Sequence, residues 1–187
     1  REGHRLDPNS PLTTRNVGSF HYWFGETEEA AEWFWRTIEL DPTAWEPWWM
    51  WIFMRDFLPI TAEEALSDRR KFNEAHQIPR QRYWRSHTNT PDPDKRIRIG
   101  LTGGDFRQHS SSYMWGPIFE HLDRERFELF SYAHITHRDP LTEWFQRMTN
   151  GWRDITQCTD DRIIADQIRR GGVDVLVDMG TFSENSH

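Results

Sequence analysis

The chain has 187 residues, enough for one large domain or two small ones, and 23 Lys and Arg stand against 30 Asp and Glu for a formal charge of −7. That balance excludes a nonspecific nucleic-acid binder, which needs a basic face against phosphate, and no apolar run reaches the roughly 18 residues of a membrane span. Cys158 is the only cysteine, so no internal disulfide can form, and a reducing, cytoplasmic setting is expected.

Residues 1–77 read as helical and contain a repeat. Leu6-Asp7-Pro8 recurs as Leu40-Asp41-Pro42, a shift of 34 residues, with Val17-Gly18, Ala30, Phe34 and Pro42 between them. This resembles the tetratricopeptide pattern, whose period is about 34 residues. Thr14 occupies the repeat's tryptophan position, and 34 residues on falls Trp48, with Trp51 at the leucine position. The region therefore resembles the tail of one repeat, one complete repeat and a degenerate start of another. Gly18 and Ala30 are small where two helices must touch, Gly25 makes the turn, and Pro42 closes the second helix. His21 departs from the usual tyrosine. Trp33-Phe-Trp35 and the tryptophans from Trp45 to Trp51 could stack sugars or bases, but their helical spacing favours packing between helices. Thr61-Ala-Glu-Glu64, just after Pro59, reads as a capping box that opens a further helix.

Residues 78–94 are polar, with Pro79, Pro91 and Pro93, and read as a linker. Beyond them strands and helices alternate: a strand Ile97–Leu101, a helix Tyr113–Leu122, a strand Phe127–Ala133 and a helix Leu141–Met148. An extended piece Trp152–Ile155, a helix Asp160–Arg170 and a strand Val173–Val177 complete the set. Such alternation predicts a parallel, doubly wound, Rossmann-like sheet over 95–187, and the last strand is apolar enough to be central.

In such sheets ligands bind at the carboxyl ends of the strands, so the Thr102–His109 loop and the segment from Asp178 to His187 are expected to meet there. Gly103-Gly104 allows close backbone approach, and Ser110-Ser-Ser112 opens a helix. Gly100-Leu-Thr-Gly-Gly-Asp105 is not G-x-G-x-x-G, and Tyr132-Ala-His134 offers no acid for a ribose, so a nicotinamide enzyme is not expected. A Walker lysine, a metal-binding histidine pair and a G-x-S-x-G elbow are also missing, and no cofactor or metal is indicated.

Lys95-Arg-Ile-Arg-Ile-Gly100 with Asp105-Phe-Arg-Gln-His109, then Asp123-Arg-Glu-Arg-Phe-Glu-Leu-Phe-Ser-Tyr132, then Gly172-Val-Asp-Val-Leu-Val-Asp178 resembles the start of the catalytic region of O-linked N-acetylglucosamine transferases. In that family tetratricopeptide repeats precede a two-domain GT-B glycosyltransferase, so the resemblance implies an α plus α/β chain carrying the first half of the catalytic fold. It implies inverting transfer of N-acetylglucosamine from UDP-GlcNAc to a protein serine or threonine, without metal, with the acceptor reached through the repeats. His109 matches the D-F-x-x-H histidine, which that family places beside sugar and acceptor as general base or as a positioning and electrostatic group. Taken alone, a histidine here could equally cap the helix or bond a loop carbonyl. Asp105 is expected to hold the loop or the ring in place, and Gln108, Ser111, Thr181, Phe182 and Ser183 complete the candidate substrate contacts. His134 and His137 belong to no constellation and are expected to be solvated.

Where the family continues D-L-x-G-[H/Y]-T, this chain reads Asp178-Met-Gly-Thr-Phe-Ser183, and Phe182 keeps an aromatic face without a hydrogen-bonding group. The start at Arg1 and the end at His187 read as a fragment lacking the donor-binding half, which alone is not expected to catalyse transfer. The alternatives are a noncatalytic tetratricopeptide scaffold with a decayed transferase domain, or a different nucleotide-sugar enzyme built on the same half.

Overall fold

The computed structural model describes residues 7–180, which divide between Trp84 and Arg85 into two compact units. This division falls inside the 78–94 segment.

The first unit is a run of helices: α1 (Pro11–Trp23), α2 (Thr27–Leu40), α3 (Trp45–Asp56) and α4 (Ala62–Phe72). Pro11 begins α1, where its fixed φ suits a first turn and its missing N–H is not needed. Gly25, at φ 74°, reverses the chain into α2, a backbone setting that a side chain resists. The close approach expected at Gly18 is real, because a Cβ there would lie 3.0 Å from the Phe34 ring. Ala30, Phe34 and Ile38 form the buried stripe of α2 at helical spacing. His21 is buried, with Nδ1 2.5 Å from Glu26 Oε2.

The tryptophans serve packing. Trp48 and Trp51 are buried, Trp35 lies against both with ring centroids 6.0 and 4.7 Å away, and Trp48 Nε1 donates to the Pro42 carbonyl. Trp45, by contrast, is exposed. Thr61 and Glu64 form the expected capping box of α4, each side chain bonding the other's backbone N–H. Asp68 is buried on α4 and is neutralised by Arg55 Nε at 2.9 Å and Lys71 Nζ at 3.2 Å. A π-helical turn (Asn73–Gln77) and a 3-10 turn (Ile78–Tyr83) follow, so the first part of the 78–94 segment is helical.

The second unit is a four-stranded parallel sheet, β1 (Ile97–Gly103), β2 (Phe127–Ala133), β3 (Gly151–Asp154) and β4 (Val175–Asp178), in the order β3-β2-β1-β4. Three helices connect the strands: α5 (Ser110–His121), α6 (Pro140–Met148) and α7 (Asp161–Arg170). Alternation along β2 explains the two layers. Leu129 and Ala133 join Phe119 of α5 and Phe145 of α6 on one face, while Phe130 and Tyr132 meet Ile164 and Ile168 of α7 on the other. The sheet is thus doubly wound, as its alternating pattern predicts.

One expectation needs correction. β4 is an edge strand among the described residues, pairing only with β1, and Val175 and Leu176 are half exposed. Its apolar run signals a strand that wants cover on both sides, but no described element lies beyond it. Residues 85–94 are also tied down: Asn89 Nδ2 donates to the carbonyls of Gly172 and Val173 and to Asp174 Oδ1, and Arg85 pairs with Asp166. Among the described residues no helix is long and apolar enough to cross a membrane.

Candidate functional site

The order β3-β2-β1-β4 reverses direction between β1 and β4, and the carboxyl ends of those two strands are where an open α/β sheet opens a crevice. The histidine loop lies there. Met179 N donates to Thr102 O at 2.9 Å, so the end of β4 lies beside the end of β1, as expected. Gly103 sits at φ 151°, a conformation that suits glycine alone, and a Cβ there would stand 3.4 Å from Met179.

The loop is held from three sides. Phe106 is fully buried, its ring edge-on to Phe119, Phe145 and Trp152 at 6.3, 5.7 and 5.3 Å. The Ser112 hydroxyl, itself buried, lies 2.8 Å from Asp105 O and 2.5 Å from Arg107 O. Gln108 N donates to Asp139 Oδ2 at 2.6 Å, across from the loop after β2. Asp139 is also the cap of α6, accepting from Thr142 N at 2.8 Å. The Gln108 N–H lowers its carboxyl below the ordinary carboxylate range, burial opposes this, and bonds from Thr142 and Leu141 add to the lowering.

Within this frame Asp105, His109 and Ser111 come together. Ser111 Oγ donates to Asp105 Oδ2 at 3.0 Å and lies 2.8 Å from His109 Nδ1, while Nδ1 and Asp105 Oδ2 are 3.4 Å apart. Asp105 is buried and the His109 side chain is 37% exposed. His109 is also the cap residue of α5, with φ −150° and ψ 156°, and its Nδ1 lies 3.3 Å from Ser111 N. With His109 in the extended conformation of a cap residue, α5 starts at Ser110 rather than at Tyr113, where hydrophobic spacing alone puts it.

The remaining candidates do not join the cluster. The Gln108 side chain is exposed and only its backbone is engaged. Thr181, Phe182 and Ser183 lie outside the described residues. His134 corrects an expectation, since it is half-buried at the end of β2, with its N–H on Gly103 O. It also acts on Asp154, whose carboxyl is lowered first by the Thr156 hydroxyl and, among lesser charges, by His134. Asp139 is the residue that sequence reasoning missed. Its signal was Asp-Pro at the start of an amphipathic helix, which announces a cap but not the bond to a loop 31 positions away.

No group of three or more His, Cys, Asp or Glu side chains that could hold a metal ion occurs among the described residues. Cavities of about 410 Å³ in the helical unit, lined by Trp35, Trp51, Arg55 and Lys71, and about 210 Å³ beside β2 and β3 contain none of the candidate residues.

Residues 68–186 match the model of glycosyl transferase family 41, more than half of the chain. Over 133 residues the chain is 29% identical to "Probable UDP-N-acetylglucosamine--peptide N-acetylglucosaminyltransferase SPINDLY" of Arabidopsis thaliana, covering 66% of this chain and 14% of that protein. It is 30% identical over 95 residues to the "Probable UDP-N-acetylglucosamine--peptide N-acetylglucosaminyltransferase SEC" of the same plant, 49% of this chain and 9% of that one. The chain thus spans a small part of the length of these relatives. A mutant O-GlcNAc transferase from Thermobaculum terrenum superposes with a TM-score of 0.78 at 24% identity, over 96% of this chain and 35% of that one, which shows the shared fold. With the D-F-x-x-H loop at the switch point of its sheet, the chain belongs to glycosyl transferase family 41, the family of the O-GlcNAc transferases.

Proposed function

We propose that this chain forms the acceptor-side wall of a transferase that moves N-acetylglucosamine from UDP-GlcNAc to a serine or threonine hydroxyl of a protein, with His109 as general base. Family membership supports the reaction class, and the relatives' names supply donor and acceptor. The helical hairpins of the first unit would take part in holding the acceptor protein.

The observation that carries the role of His109 is its contact with Ser111. One imidazole nitrogen cannot both donate to the Ser111 hydroxyl and accept the Ser111 N–H. The hydroxyl contact is the shorter, 2.8 against 3.3 Å, and the hydroxyl's own proton goes to the buried Asp105 carboxylate. This favours a proton on Nδ1 and a lone pair on Nε2, which has no hydrogen-bond partner among the described residues. In the reaction the acceptor oxygen bonds the anomeric carbon as the bond to the UDP phosphate oxygen breaks. UDP leaves with the bonding pair, the hydroxyl proton passes to Nε2, and the configuration at carbon inverts.

The test is His109→Asn in the full-length polypeptide that contains this segment. Asn is a strong helix cap, so α5 is retained while the base is lost. Transfer to a peptide acceptor is expected to fall by about a hundredfold or more in kcat, with a small change in KM for UDP-GlcNAc. Undiminished kcat removes His109 from the chemistry, and a wild-type polypeptide that transfers no sugar favours the scaffold reading.

A further inference from the structure

α5 buries Phe119 and Ser112, at 0 and 3% exposure, with Trp115 and Leu122 packed on the same core, yet it also turns Tyr113, Met114 and Ile118 outward at 71, 76 and 43% exposure, with Pro117 exposed beside them. Positions 113, 114, 117 and 118 share one face of a helix. Single exposed apolar side chains are ordinary, but four on one face of a twelve-residue helix form a patch, and such patches mark binding surfaces. Residues 108–119 contain no Asp, Glu, Lys or Arg, in a chain where 28% of residues are charged. Burying Ser112 has a local reason, since its hydroxyl serves the carbonyls of Asp105 and Arg107. Exposing Tyr113 and Met114 has none within the fold.

We propose that the stripe Tyr113–Met114–Pro117–Ile118 is an apolar subsite for the acceptor polypeptide, taking an aliphatic or aromatic side chain near the hydroxyl that is glycosylated. This rests on the transferase reading of His109. Two observations choose the occupant. The stripe is continuous with the candidate site, because His109 is the cap of the helix that carries it. It is also uncharged, with the Tyr113 hydroxyl its one side-chain polar group, which suits peptide side chains better than a nucleoside diphosphate, whose phosphates and ribose need several donors and charge.

The spacing narrows the position. Along a helix rising about 1.5 Å per residue, Tyr113 lies about 6 Å and Ile118 about 13 Å beyond His109. An extended peptide advances about 3.3 Å per residue, so the apolar residue stands about two to four positions from the modified serine or threonine.

The test compares two peptide acceptors in the full-length polypeptide, one with leucines about three residues to either side of a single serine, the other with glycines there. Wild type is expected to favour the leucine peptide in kcat/KM by about tenfold or more, and Tyr113→Ser/Met114→Ser to bring that ratio close to one, mainly through KM. Both substitutions sit at exposed positions, and the melting temperature is the control for folding.

A wild-type preference that survives the double substitution overturns the subsite, while transfer itself continues to support the role of His109. A drop of several degrees in melting temperature with peptide preference intact also overturns it, and identifies the occupant as another part of the same polypeptide. A wild type that neither transfers sugar nor binds the leucine peptide in fluorescence anisotropy overturns both readings.

Discussion

Asp139→Ala removes from one carboxylate both its hold on the first turn of α6, through the Thr142 N–H and hydroxyl, and its bond from Gln108 N. Oδ1 caps α6 through Thr142 N at 2.8 Å, and Oδ2 accepts from Gln108 N at 2.6 Å, next to His109. Losing a helix cap costs about 1 kcal/mol, and losing a charge-assisted bond at a half-exposed site costs about another 1 kcal/mol. The sum of about 2 kcal/mol corresponds to a fall of roughly 8–16 °C in the melting temperature of a unit of about 100 residues. Asp139→Ser separates the two parts: serine caps a helix well but is too short to reach Gln108, so it should lose about half as much. Urea titration gives the energies, and hydrogen exchange at the Gln108 amide reports the loop locally, with faster exchange expected in both variants. Because the folded carboxyl is held below its ordinary value of 3.8, its contribution is complete above that value and fades as the pH falls below it. A cost under about 0.5 kcal/mol for the alanine variant, with unaltered exchange at Gln108, would show that Asp139 does not hold the histidine loop.

Two further substitutions probe the units separately. Gly18→Val places a Cβ 3.0 Å from the Phe34 ring and adds two methyl groups, so the first unit should lose about 2 kcal/mol, whereas Gly18→Ala stays near neutral because helix propensity offsets the milder crowding. An unchanged urea midpoint for the valine variant refutes close packing of α1 on α2. For Asp174, burial raises the carboxyl, but the Arg98 N–H, Lys95 and Asn89 together outweigh it and bring it down to about 2. Its contribution is therefore present above the ordinary value of 3.8 and lost as the pH falls toward about 2. Asp174→Asn should lower stability at neutral pH and flatten the acid limb across that window. An acid limb parallel to wild type would show that the Asn89–Lys95–Asp174 cluster does not fasten residues 85–94 to the sheet.

Most of the second unit is legible because period-two strands and short connections leave few arrangements, and Phe127–Ala133 appears with the boundaries its pattern predicts. Boundaries fail where side chains set them. β1 runs on to Gly103 because Thr102 and Gly103 pair with Tyr132 and Ala133, and composition does not announce that pairing. β4 reads as central because Val175-Leu-Val177 has the composition of a buried strand, yet position within a sheet depends on which strands flank it. In the candidate site, the Asp105–His109 spacing and the serine cluster were visible, but the bond from Asp139 spans 31 residues and belongs to tertiary structure alone.

The cap geometry bears on why a histidine stands at position 109. Helix capping is served best by Ser, Thr, Asp or Asn, and three serines follow immediately, so a helix could start one residue later with a better cap. The Ser111 N–H contact at 3.3 Å is long, and it competes for the same nitrogen as the 2.8 Å contact with the Ser111 hydroxyl. Capping alone therefore explains neither the residue type nor the second contact. Asp105, buried and joined to the imidazole through Ser111, adds what a cap does not need: an acceptor chain that orients the ring and favours one nitrogen as donor, the arrangement on which the proposed role of His109 rests. The loop that leads to this imidazole is itself fastened, by Phe106 among its three aromatic neighbours, by Gly103 at positive φ and by Asp139 on Gln108 N, so the backbone that carries the ring is held on both sides of β1's end.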